Sequence, residues 1–247
     1  MRRIVLWLCA SALAVALAPA ISRAGPPFVT DDPVPVDLHH WEFYLASANQ
    51  VSRDEASGTF PEAEANYGGA RNLQLHVRLP LDYTLPSGHD AHFALDDLEL
   101  GAKYRFLEEG KRVPMAAIYP AFEVPLSGEA RGSEAGKLEA FFPLWIQKSF
   151  GSWTSYAGGG YWVNPGDGNQ NYWLAGWQVG RNVAANVAAG AEIFGATADE
   201  VGGRGSLRLN LGATIDFSER QHLLLSAGHS ISGDSAFQGY VGYQITL

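Results

Sequence analysis

Residues 73–83 read LQLHVRLPLDY and alternate without a break. Leu73, Leu75, Val77, Leu79, Leu81 and Tyr83 fall on one side, and Gln74, His76, Arg78, Pro80 and Asp82 on the other. An extended strand turns its side chains with period two, so the stretch specifies one apolar and one charged face of a β-sheet, and no helical period fits it. The pattern recurs. In LRLNLGATIDF, Leu207, Leu209, Leu211, Ala213, Ile215 and Phe217 oppose Arg208, Asn210, Thr214 and Asp216. In DLELGAKYRF, Leu98, Leu100, Ala102, Tyr104 and Phe106 oppose Asp97, Glu99, Lys103 and Arg105, and Glu62, Glu64 and Asn66 oppose Ala63, Ala65 and Tyr67. Such a chain becomes either a soluble β-protein with its charge outside or a membrane barrel with its charge inside.

The N-terminus helps to choose. Arg2 and Arg3 precede an apolar run broken by Pro19, and Ser22 and Ala24 place small residues before Gly25. This is the pattern of a secretory signal over residues 1–24, cleaved before Gly25. The only cysteine, Cys9, lies within it, so the mature chain is expected to have no disulfide, thiol nucleophile or cysteine metal site. Removing Arg2, Arg3 and Arg23 from 17 basic residues leaves 14 against 26 acids, a net charge of −12 over the 223 residues of 25–247. That disfavours nucleic acid as a partner. No later segment reaches the ~18 consecutive apolar residues of a membrane-spanning helix. A membrane location would therefore require a closed barrel, in which every backbone group finds a partner on a neighbouring strand.

Twelve alternating windows follow, at 41–51, 61–68, 72–84, 95–107, 112–124, 138–150, 152–163, 170–181, 184–196, 205–217, 222–232 and 236–247. The connections on one side are short (68–71, 108–111, the step at Gly151, 182–183, 218–221). Those on the other are mostly longer (53–60, 85–94, 125–137, 164–169, 197–204, and the brief 233–235). An even strand number with short periplasmic turns and longer outer loops is the plan of an outer-membrane barrel, and it puts both termini on the periplasmic side. Trp41, Tyr83, Tyr104, Phe106, Phe150, Trp153, Trp162, Trp173 and Phe217 fall near strand ends, where aromatic girdles sit. The last strand carries Phe237, Val241, Tyr243, Ile245 and Leu247 on one face, which suits recognition by the barrel-assembly machinery. The expected fold is an all-β, transmembrane antiparallel up-and-down β-barrel of about 12 strands over residues 41–247. A periplasmic Pro-rich leader or plug over residues 25–40 precedes it. The rival fold is a lipocalin-like soluble barrel with an apolar interior.

Four stretches carry a resemblance: GPPFVTDDPVPVDLHHWEFY, NYGGARNLQLHVRLPL, DLELGAKYRF and PLWIQKSFGSWTSYAGGGYWVNPGDGNQNYWLAGW. Together they resemble the outer-membrane transporter family named for the MetA pathway of phenol degradation, over nearly the whole mature chain. The resemblance implies an outer-membrane barrel, porin-like, that transports small molecules, aromatic or hydrophobic ones among them. It supplies no catalytic residues and no cargo.

The charged face of the barrel collects the expected pore-lining residues Glu62, Glu64, His76, Arg78, Asp82, Asp97, Glu99, Lys103, Arg105, Glu123, Glu139, Glu192, Arg208 and Asp216. Opposite charges across a narrow pore set up a transverse field that selects small polar solutes. The same residues can instead pair with one another and fill the barrel, and twelve strands lie between filled and open barrels. Acids outnumber bases, so an open path is expected to prefer cations mildly. The leader, with Pro26, Pro27, Pro33 and Pro35, cannot be a central strand. It either enters the barrel mouth, with Asp31, Asp32 and Asp37 holding a cation, or simply leads into the first strand. His39 and His40 are adjacent, which places their rings on opposite faces of a strand. Gly158, Gly159 and Gly160 either clear space in the lumen or bend the wall. Residues 228–234, GHSISGD, invite comparison with barrel phospholipases, but Ser230 and Ser232 oppose His229 and no G-x-S-x-G is present. The expectation is a non-enzyme without cofactor or metal, residing in the cell outer membrane. Its partners are outer-membrane lipids, lipopolysaccharide and a small-molecule solute that passes without an energy source. The alternatives are an outer-membrane lipid-modifying enzyme and a filled structural or adhesion barrel.

Overall fold

A computed structural model describes residues 26–126 and 137–247; the expected signal at residues 1–24 and most of the outer connection at 125–137 lie outside the described residues. Fourteen strand segments follow in chain order. They are β1 (Trp41–Val51), β2 (Glu55–Ala70), β3 (Leu73–Pro86), β4 (His92–Leu95), β5 (Leu98–Leu107), β6 (Met115–Ile118), β7 (Ala121–Val124), β8 (Glu139–Phe150), β9 (Trp153–Val163), β10 (Tyr172–Ala184), β11 (Val187–Ala196), β12 (Ser206–Ser218), β13 (Gln221–Ser232) and β14 (Phe237–Thr246). No helix occurs among the described residues. All neighbours pair antiparallel, and β1 pairs with β14 from Glu42↔Thr246 to Val51↔Phe237, which closes the sheet. β4 and β5 form one stave interrupted at Asp96 and Asp97, and β6 and β7 another interrupted at Tyr119 and Pro120. The result is a closed antiparallel barrel of twelve staves, as expected.

Three windows differ from expectation, all for backbone reasons. The window 95–107 breaks at Asp96 and Asp97, and its outer part, β4, begins at His92 within the expected loop 85–94, where it pairs with Leu81–Thr84 of β3. Residues 112–124 form no continuous strand because Pro120 has no N–H for the ladder. The break is bridged by Tyr119 N donating to Pro143 O at 3.3 Å and Ala102 N donating to Pro120 O at 3.0 Å. β2 begins at Glu55 rather than at residue 61, because Ala56, Ser57 and Gly58 pair with Val51, Gln50 and Asn49 of β1. Backbone pairing extended this strand where its side chains showed no alternation. A ten-residue stave at ~3.4 Å per residue, tilted by roughly 40°, rises about 26 Å, close to the ~25 Å of an outer-membrane apolar band.

The facing of the staves is as the alternation required. Leu75 is 48% exposed and Gln74 5%. Leu45, Leu100, Leu209, Leu211, Phe142 and Val241 also face outward. Asn66, His76, Lys103, Gln147, Gln178, Glu192, Asn210 and Gln244 are buried inside. This distribution inverts that of a soluble barrel. Trp41, Tyr104, Phe106, Phe150, Trp153, Trp173 and Phe217 are exposed on the outer surface. Trp162 is not: it lines the interior and stacks on Phe141 at 4.7 Å and on Tyr172 at 5.9 Å. Its inward neighbour two residues earlier is Gly160, and strand parity carries Trp162 to the same face.

The leader runs inside the barrel. Val36 N donates to Gln74 Oε1 at 3.0 Å near the termini, and Thr30 and Asp32 are fully buried further up. Thr30 N donates to Glu192, and Ser226 Oγ donates to Pro27 O at 2.7 Å. Three wall glycines make the room: a Cβ at Gly68 would lie 1.9 Å from Asp37 O, at Gly176 2.0 Å from Thr30 Oγ1, and at Gly212 2.7 Å from the Phe28 ring.

Candidate functional site: a charged and aromatic lumen beside the leader

The interior contains two cavities that share Phe28, Val29, Ala48 and Tyr240 as walls. The first, about 380 Å³, lies between the leader and the wall of β1, β2, β3, β5 and β8. β3 supplies its centre by simple parity: Gln74, His76 and Arg78 point inward in succession. Arg78 donates from Nε and Nη2 to Glu99 Oε2 at 3.0 and 2.7 Å and from Nη1 to Glu62 Oε2 at 3.4 Å, and its Nη2 lies 3.5 Å from Glu123 Oε1. One guanidinium thus faces three carboxylates from three staves. His76 Nδ1 is 2.7 Å from Asn66 Oδ1 and 3.5 Å from Glu64 Oε1. Its Nε2 comes within 3.1 Å of Glu99 Oε1 as a charge contact, at an angle outside that of a hydrogen bond. Asn66 Nδ2 in turn donates to Glu64 Oε1 at 2.6 Å.

Lys103, on the neighbouring stave, reaches the leader. Its Nζ lies 2.9 Å from Asp31 Oδ2 and 3.9 Å from Asp32 Oδ1, and 5.1 Å from the centre of the Tyr119 ring. The positive partner of Asp31 and Asp32 is therefore a lysine of the wall. Burial pushes the Asp32 carboxyl up to about 7, against the pull of Lys103. His39 and His40 diverge, with His39 Nδ1 3.3 Å from Tyr67 Oη and His40 Nδ1 3.1 Å from Leu38 O.

The structure distributes the fourteen expected lining residues over several places and not as one ring. Glu62, Glu64, His76, Arg78, Glu99 and Lys103 line the first cavity. Asp97, Glu123 and Glu139 bring carboxylate oxygens within 4.8 Å of one another at the outer end of β5, β7 and β8, and Arg78 supplies positive charge beside Glu123. Glu192 accepts from Thr30 N under the leader and from Asn210 Nδ2 at 2.9 Å. Arg208 lines the second cavity. Asp82, half-buried, lies on β3 beyond Pro80, towards the outer end. Arg105 and Asp216 belong to the terminal end, where Arg105 Nη2 donates to Asn72 Oδ1 at 2.6 Å and Asp216 Oδ1 meets His222 Nδ1 at 2.5 Å.

Charge alone did not reveal the aromatic half of this lining. Tyr44, Tyr119, Phe141, Trp145, Trp162 and Tyr240 face the first cavity. The signal that could have found them is parity: Tyr44 stands two residues from Glu42, Trp145 two from Gln147, and Tyr240 two from Gln238. Gly158 and Gly160 face inward with them. A Cβ at Gly158 would lie 2.6 Å from the Trp145 ring, and at Gly160 2.7 Å from the Phe141 ring, so these glycines seat aromatic rings.

Comparison with solved structures points to one fold. The chain is similar to the COG4313 outer membrane channel from Pseudomonas putida F1, with TM-score 0.72 and 12% identity over 91% of this chain and 100% of that one. The chain has the fold of an outer-membrane barrel. It is also similar to the NanC porin (TM-score 0.57, 5% identity, 83% of this chain and 100% of that one). A third is the translocator domain of the autotransporter NalP from Neisseria meningitidis (TM-score 0.53, 11% identity, 83% of this chain and 87% of that one). No family model matches the chain, and no curated protein matches it.

Proposed function

We propose that the chain is a passive outer-membrane channel for small molecules, including aromatic and hydrophobic ones, with its leader as a plug. The observation that carries this reading is the lumen. A barrel with an apolar exterior encloses a cavity of about 380 Å³ walled by carboxylates, Arg78, six aromatic rings of the barrel and Phe28 of the leader, a segment that is not part of the barrel. A filled structural barrel would use the space for packed side chains. Here the filling segment is continuous chain held at discrete points, and a held segment can be released. The channel and porin names among the similar structures support passage, and the resemblance to the MetA-pathway family supports an aromatic or hydrophobic cargo. Passage needs no nucleotide, since the outer membrane has no ATP supply. The lipid-hydrolase alternative finds little support in contacts: His229 Nδ1 meets the Ser230 carbonyl at 2.8 Å, while Ser230 Oγ is tied to Ala236 O at 3.3 Å.

Purified protein in planar bilayers and solute-loaded liposomes tests the proposal. Discrete conductance steps and uptake of small aromatic solutes are expected. Silence in both assays, from protein whose heat-modifiable gel mobility reports a folded barrel, would sink it.

A further inference from the structure

The second cavity differs from the first in charge. It measures about 390 Å³, within the ~300–1,000 Å³ range of small-molecule sites. It lies towards the outer end, between β1, β2, β12, β13 and β14, with Pro27, Phe28 and Val29 of the leader as its inner boundary. It contains no carboxylate, and its single charged residue is Arg208. The other lumenal cations are all compensated: Arg78 by Glu62, Glu99 and Glu123, Lys103 by Asp31 and Asp32, and Arg105 by Glu108 at 4.0 Å. Among the described residues Arg208 has no carboxylate within ion-pair distance. Its Nη1 donates to Gln238 Oε1 at 3.0 Å, and its guanidinium lies 6.0 Å from the centre of the Phe194 ring. Its Nε is buried without an acceptor.

The edge without a protein partner is informative. Nε and Nη2 together form the fork that grips a carboxylate with two parallel hydrogen bonds. Arg78 already spends that same edge on Glu99. The Nε of this half-buried guanidinium is enclosed without an acceptor, which is costly, and Asp199, the carboxylate that acts on Arg208, does so from beyond ion-pair distance. The Phe28 and Tyr240 rings offer an apolar surface in the same cavity.

We propose that this cavity is a binding site for small aromatic carboxylates, in which the Nε–Nη2 edge of Arg208 takes the carboxylate and the Phe28 and Tyr240 rings take the apolar body. The carboxylate-rich first cavity, behind the shared wall of Tyr240, repels the same anion, so the site holds it on the outer side of the leader. The inference rests on the channel reading, since a solute must enter the lumen to meet Arg208, but its test reads binding and not passage.

Calorimetric titration of the folded mature chain in detergent with benzoate, benzyl alcohol and benzylamine isolates the charge term on one ring. Saturable benzoate binding at least tenfold tighter than that of benzyl alcohol is expected, with benzylamine weakest. Arg208→Gln should lose at least tenfold in benzoate affinity and leave benzyl alcohol within twofold. Arg208→Lys, a point charge without the fork, should fall between. The proposal is overturned if benzoate does not saturate, if benzylamine binds best, or if Arg208→Gln leaves benzoate affinity unchanged while gel mobility reports an intact barrel. Benzoate binding by a protein that shows no conductance would sink the passage reading and leave this site standing.

Discussion

Two residues show how the lumen is held in tension between packing and charge. Gly176 lies on β10 opposite Thr30, and a Cβ there would fall 2.0 Å from Thr30 Oγ1 and 3.1 Å from Phe194 Cβ. Its backbone is ordinary strand, so a larger residue strains the leader contact and not its own conformation. Gly176→Val should cost leader docking about 1–3 kcal/mol through overpacking, a roughly 5- to 150-fold shift towards the undocked leader. Single-channel recording should show larger or more frequent openings than the parent, and unchanged recordings would mean that the leader does not limit passage. Arg78 makes the opposite case. Its side chain is 23% exposed, and it stands between Glu62, Glu99 and Glu123, of which His76 touches only Glu99. Arg78→Met leaves three carboxylates facing one another, and removing one partner of a buried ion pair costs about 3–5 kcal/mol. Water in the cavity will reduce that figure. A lower urea midpoint for loss of heat-modifiable mobility is expected, with partial recovery in Arg78→Met/Glu99→Gln.

At the scale of elements, the staves and the leader obey different rules, which is why one was legible and the other was not. A stave has lipid-compatible side chains on one face and the lumen on the other, so its sequence repeats the period of its backbone; β1 begins and ends where the alternation does. The departures, at Pro120, at Glu55–Gly58 and at His92–Asp97, are places where backbone hydrogen bonding decides and side chains carry little pattern. The leader has no period. Its path is set by contacts with β3, β5, β11 and β13 and by glycines on distant staves, and none of these is visible until the barrel closes. Its Asp-Asp pair was legible as negative charge, but the partner Lys103, some seventy positions away, was not. That pair also gives the leader a pH dependence. Burial raises the docked pKa of Asp32 from 3.8 to about 7, with Lys103 opposing. The docked state therefore binds the proton more tightly than the released state does. Docking is strongest below about 3.8, weakens as pH rises towards 7, and is level above it. Conductance should increase between pH 5 and pH 8, and Asp32→Asn should flatten that rise; an equal rise in the variant would assign it elsewhere.

At the scale of the whole molecule, the barrel arranges charge along its axis as well as across it. The outer end carries the Asp97, Glu123 and Glu139 group on one side and the Arg208 cavity on the other, while the middle is a carboxylate-rich chamber lined on one side by the leader. Opposite charges on opposite walls create a transverse field, which orients a dipolar solute without binding it tightly. Summed along the path, acids exceed bases, and the surplus raises the local concentration of cations. Under the proposed function, the wild-type protein should thus show a modest cation preference in reversal potentials measured across a KCl gradient, and the preference should shrink as salt rises, because the Debye length falls from ~10 Å at 0.1 M to ~3 Å at 1 M. Asp97→Asn/Glu139→Gln removes two acids from the outer rim and spares Glu123, which faces Arg78. Removing charge at the mouth, where every ion must pass, should lower the cation-to-anion permeability ratio by roughly twofold. Neutralising Asp216, at the terminal end, should change it less, since the leader and the middle chamber lie between it and the outer mouth. If Asp216→Asn moved the reversal potential as far as the rim variant does, the selectivity would be set by net charge and not by where the charge sits.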